Sequence, residues 1–145
     1  MHRFAMVVWD GRRALRVSCL LASLVVAAVA FAGGLAVDDS GVGSGIADRE
    51  LEGRGDRFEE GAKIAFWTRV TGGEPGEGIV HVWMREGATV LSVELEVGGA
   101  RWRTWSTKTL FAGSAGDWAV EARDAEGRVI ARHEFVCARP VDAGN

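Results

Sequence analysis

From Gly61 onward the chain is written in short runs rich in Val, Ile, Trp and Thr, separated by glycine-bearing turns, with no stretch of helical periodicity. That pattern predicts strands over about 63–70, 79–85, 89–97, 100–106, 118–123 and 129–136. Glu86-Gly87-Ala88 and Gly98-Gly99 read as tight connections, and Asp124-Ala125-Glu126-Gly127 supplies a glycine at the exit of a type I turn. Six or seven short antiparallel strands in under 100 residues predict an all-β fold, a small immunoglobulin-like β-sandwich. A domain of that size has little core to spare and must put its aromatic residues inside.

The segment before it has a different character. Arg3, Arg12, Arg13 and Arg16 precede an uncharged stretch from Val17 to Val37 that contains the apolar run 20–30 and small residues at Ala28-Val29-Ala30 and Ala30-Phe31-Ala32. Residues 1–32 therefore read as an apolar N-terminal helix, either a cleaved signal peptide or a retained membrane anchor. Basic residues before the apolar run place the N-terminus in the cytoplasm in either case, so the folded part is expected on the far side of the membrane. Gly33 to Ala47, rich in glycine and serine, reads as a flexible tether. The expected organisation is then 1–32 leader, 33–47 tether, 48–137 sandwich and 138–145 tail.

Removing the leader leaves 13 basic and 19 acidic residues, a balance of about −6. Such a domain has no long-range attraction for a polyanion, which argues against nucleic acid as a partner. Past the leader only Cys137 remains, so no internal disulfide can form there, and a lone thiol in a strand reads as a small buried hydrophobe.

His81-Val82-Trp83, the string Arg101-Trp102-Arg103-Thr104-Trp105-Ser106-Thr107-Lys108, and Gly116-Asp117-Trp118 together resemble DUF2914, a bacterial domain family of unknown function. The resemblance runs from about Asp48 to Val136, with Phe58, Val97-Gly98-Gly99, Gly127 and Phe135 also in place. It implies a small β-sandwich attached to varied N-terminal parts, often outside a membrane. It brings no catalytic or binding residue with it.

Strand parity offers a candidate surface. Val80, Val82 and Met84 are expected to face the core, with His81, Trp83 and Arg85 on the opposite face. Thr89, Leu91, Val93, Leu95 and Val97 form a second inward row. If Trp102 points inward, Arg101, Arg103 and Trp105 join His81 and Trp83 on an outer face, with Lys108 at its rim. Aromatic faces and guanidinium forks suit an envelope glycan or a protein partner. The competing reading places those tryptophans in the core, in a purely structural accessory domain. A third reading is a hydrolase using Ser106 with His81 and Lys108, but no G-x-S-x-G elbow supports it. His81, His133 and Cys137 lack zinc spacing, and no phosphate loop or dinucleotide fingerprint is present, so neither metal nor cofactor is expected. The leading expectation is an exported, periplasmic or membrane-anchored, non-catalytic binding module of the cell envelope, touching membrane only through an uncleaved leader.

Overall fold

The computed structural model describes residues 34–141. The signal or anchor helix expected over residues 1–32 lies outside that span, as do the last four residues. The described residues form ten strands: β1 (Ala36–Gly43), β2 (Gly45–Ala47), β3 (Glu50–Glu52), β4 (Arg57–Glu59), β5 (Lys63–Thr71), β6 (Glu77–Arg85), β7 (Ala88–Val97), β8 (Arg101–Thr109), β9 (Gly116–Arg123) and β10 (Val129–Ala138). The six predicted strands are all found, within three residues at either end.

The strands make two sheets, β1-β5-β8 and β4-β10-β9-β6-β7, and β2 pairs with β3 in a separate hairpin. Every pairing is antiparallel except that of β4 with β10. By order, β1, β5 and β8 stand where an immunoglobulin-type sandwich has strands A, B and E. The run β10-β9-β6-β7 stands where it has G, F, C and C′.

The sheets enclose one apolar cluster. Ile64, Phe66 and Val70 come from β5, Ile79 and Trp83 from β6, Trp118, Val120 and Ala122 from β9, and Phe135 and Cys137 from β10. Phe66 meets Trp83 edge-on with centroids 6.4 Å apart, Trp83 meets Phe135 edge-on at 6.2 Å, and Phe135 stacks on Trp118 at 5.9 Å. Edge-to-face and offset contacts of this kind let large rings fill a thin core without voids. Cys137 sits in it as an inert buried thiol, its pKa pushed up by burial.

Two expectations are corrected. The expected tether over 33–47 is not found where the structure describes it, because Ala36–Gly43 is an eight-residue edge strand running antiparallel to β5. Its glycines are needed for packing. Gly41 and Gly43 lie beneath the β2–β3 hairpin, which folds back over the outer side of the three-stranded sheet. A Cβ at Gly41 would stand 2.7 Å from Arg54 Nη1 and 2.9 Å from Leu51 Cδ2, and one at Gly43 would collide with the Glu52 carbonyl oxygen. Backbone cannot retreat as a side chain can. We expect Gly43→Ala to cost about 1–3 kcal/mol, with amide exchange accelerated across residues 44–55; unchanged protection there would show that the hairpin is not seated on this glycine.

The second correction concerns β6. His81 and Trp83 face the core, and Val80, Val82 and Met84 point away from it, forming a small cluster with Ala119 on the outer side of the five-stranded sheet. Val82 and Met84 are still buried, only 4% and 9% exposed, packed with Ala119 and Val80. Opposite Val82 in the register of β6 with β9, Glu121 is held between Arg123 at 2.6 Å and Arg132 at 2.5 Å. Both faces of β6 are therefore covered, and apolarity alone does not distinguish them. On β7 the inward row is as expected from Leu91 to Val97. Thr89 is exposed, since a register shift between Trp83 and Met84 interrupts the alternation.

Candidate functional site

The residues proposed as one surface separate into three places. His81 and Trp83 are fully buried between the sheets. Lys108 lies at one end of the sandwich, its Nζ 5.8 Å from the Trp118 ring centroid and 5.2 Å from that of Phe111. Arg101, Arg103 and Trp105 share the outer side of β8, exposed or half-buried, and Trp102 packs against the core as that arrangement required. The placement of His81 and Trp83 on a surface is thus overturned. A polar ring in the core costs little when both nitrogens are satisfied, and here they are.

The buried polar chain is fully specified. Thr68 Oγ1 donates to the Thr104 carbonyl at 3.2 Å, which spends its only proton, so it accepts from His81 Nε2 at 3.3 Å. His81 Nδ1 then carries the lone pair and accepts from the Ser106 hydroxyl at 2.8 Å, while Ser106 Oγ accepts from Trp83 Nε1 at 3.0 Å. Burial drives the His81 pKa down to about 3, so the ring is neutral at ordinary pH. The direction of the Ser106–His81 bond is that of a nucleophile and its base. Yet Ser106 is only 6% exposed and its oxygen is engaged by Trp83, which leaves no approach for an acyl group. His133 is bonded through Nε2 to Ser40 Oγ at 2.8 Å and packs edge-on against Phe66.

The outer side of β8 is built differently. Here Trp67 stands opposite both Gly41 and Trp105 in the register of the three-stranded sheet. The hairpin covers Trp67 completely: its indole Nε1 donates to the Arg49 carbonyl at 2.8 Å, and the Arg54 guanidinium sits 5.6 Å from its ring centroid. Beyond the hairpin, two open recesses remain. One, of about 260 Å³, is lined by Ile46, Lys63, Ala65, Trp105 and Thr107 among others. The second, of about 290 Å³, is lined by Arg49, Arg101, Trp102 and Arg103. Arg103 is ion-paired with Glu50 of the hairpin at 3.0 Å, and Arg49 lies over the Trp102 ring at 5.4 Å. Sequence reading missed Arg49 and Ile46 because it placed them outside the strands. Their only signal was the pairing of hydrophobic Ile46 and Leu51 around a two-residue turn.

Architecture and site together define a small all-β sandwich with an aromatic and basic outer edge strand. The family model DUF2914, described as a protein of unknown function, matches residues 76–137, so the resemblance carried by the His-Val-Trp and Arg-Thr-Trp-Ser strings is shown over that span. The matched span begins after β5, and residues 48–75 lie before it. No curated protein matches the chain. Among solved structures, the chain is similar to the crystal structure of a Niemann-Pick type C2 protein from Japanese carpenter ant, with 12% identity, 72% of this chain and 92% of that chain covered, and a TM-score of 0.42. A likeness at that level says nothing about what this chain binds.

Proposed function

We propose that the protein is an exported, non-catalytic interaction module of the cell envelope, and that its working surface is the outer side of β8 with the hairpin beside it. The observation that supports this most directly is the row Arg101, Arg103 and Trp105 along a sheet edge, flanked by two open recesses. Edge strands without a role are commonly blunted by bulges, proline or extreme shortness, whereas β8 is nine residues long and regular in its pairing with β5. A guanidinium row beside a half-covered indole suits a partner with anionic groups and some flat apolar surface. Against catalysis stands the state of Ser106 and His81, which are committed to the core network. The export of the module rests on the leader as read from sequence. A purely structural accessory role is favoured by Trp83 and His81 in the core, but it leaves the β8 row unexplained.

The test compares sedimentation of the protein with isolated envelope fractions. The Arg103→Ala, Trp105→Ala double variant should retain its far-ultraviolet spectrum and lose envelope binding at least tenfold, about 1.4 kcal/mol or more. A folded double variant that sediments like the unaltered protein would sink the assignment, as would an unaltered protein that does not sediment.

A further inference from the structure

The tip of the β2–β3 hairpin is conformationally costly. Asp48 and Arg49 both have positive φ, 49° and 65°, the geometry of a type I′ turn, which Asn-Gly or Gly-Gly adopts without strain. Non-glycine residues persist in that region only where surrounding contacts determine them, and such positions collect at binding sites. Here the contacts are explicit. The Arg49 carbonyl takes the Trp67 indole proton, its guanidinium rests on the Trp102 ring, and the next residue, Glu50, is ion-paired with Arg103. The turn is thereby locked in the one position that brings Arg49 into the recess with Arg101.

Positive charge outweighs negative in that recess. Glu50 engages Arg103, and Asp38 is bonded to Arg69 at 2.7 Å, with Arg101 attracting it only from beyond ion-pair distance. Among the described residues, neither Arg49 nor Arg101 has a carboxylate within ion-pair distance. Like charges lining one recess repel, and an anion between them converts that repulsion into two charge-assisted contacts. Guanidiniums are suited to this because each presents a planar fork of donors that matches two oxygens of a phosphate or carboxylate.

We infer that Arg49 and Arg101 form an oxyanion clamp, lined by the Trp102 ring, that receives a phosphate group of the partner. This inference rests on the proposed binding role of the β8 surface and names the chemistry it recognises. Two sources share that chemistry, a free phosphate and a phospholipid headgroup. Arg103 belongs to the wall of the site and its charge is already answered by Glu50, so it contributes shape and little attraction.

The experiment uses the full chain in a neutral detergent and follows arginine Nε–H and tryptophan indole resonances while inorganic phosphate is added. A saturable response is expected at Arg49, Arg101 and Trp102, with a Kd on the order of 1–10 mM for so small an anion. Arg49→Gln and Arg101→Gln should each weaken it about tenfold, whereas Arg139→Gln, on an exposed residue beyond β10, should leave it unchanged. The Trp67 indole resonance reports that the hairpin stays seated in each variant. Tighter binding of dihexanoylphosphatidylglycerol than of phosphate assigns the site to a lipid headgroup, and equal or weaker binding assigns it to the free anion. Absence of saturation, or saturation indifferent to Arg49 and Arg101, overturns the clamp. If the Arg103/Trp105 variant loses envelope binding while phosphate gives no response, the clamp alone fails and the broader surface stands.

Discussion

Trp83→Ala is expected to lower the free energy of unfolding by about 3–5 kcal/mol, the range found when a fully buried large aromatic is truncated. Trp83 has no exposed surface and makes edge contacts with Phe66 and Phe135, so its removal leaves a cavity bounded by rings that cannot collapse into it. It also removes the indole N–H from Ser106. Trp105→Ala makes the informative comparison, since Trp105 is half-buried on the outer side of β8 and its loss should cost only about 1–2 kcal/mol. Urea denaturation of both variants measures the difference directly. Equal losses would mean that Trp105 is as deeply committed to the fold as Trp83, and would remove it from any binding surface.

Acid should destabilise the protein well before its carboxylates protonate. In the unfolded chain His81 titrates near its ordinary value of 6.5, but in the fold burial holds it near 3. Between those values the unfolded state binds a proton that the native state does not, so stability falls with falling pH by about 1.4 kcal/mol per pH unit. The contribution is fully present above pH 6.5 and declines steadily as the pH is lowered toward 3. His133 acts in the same direction, its pKa lowered first by burial and then by the nearby charge of Arg54. Denaturation midpoints recorded at several pH values should therefore slope steeply below 6.5. His81→Gln, which retains a donor and an acceptor but does not titrate, should flatten that slope. An unaltered slope in the variant would show that another group governs acid stability.

How much of this was legible depended on the kind of information each element needs. The strands from β5 to β10 were readable because their alternation, β-branched residues and glycine turns are local signals, each complete within about ten residues. Asp124 is an example, its carboxylate oxygen Oδ1 accepting from the amides of Glu126 and Arg128 within the turn it defines. β1 was not readable, because a strand that runs under a folded-back hairpin needs glycine where side chains would collide, and glycine in sequence suggests flexibility. The inward face of β6 was misread because both of its faces are covered. Hydropathy favoured Val80, Val82 and Met84, while the core selected His81 and Trp83, whose polar atoms are satisfied only by Thr68 and Ser106 of the opposite sheet. The outward row of β8 was correctly tied to an inward Trp102, but its partner Arg49 lay in a hairpin that local signals did not reveal.

Sequence by itself determined the class of fold, the positions of its principal strands along the chain and a family resemblance that the family match supports over residues 76–137, because these depend on short-range periodicity and short exact strings. Tertiary structure alone decided which side of β6 is interior and which arginines share a recess. Those outcomes depend on hydrogen bonds and contacts between residues far apart in the chain, such as His81 with Ser106 and Arg49 with Trp102, and no local pattern encodes them.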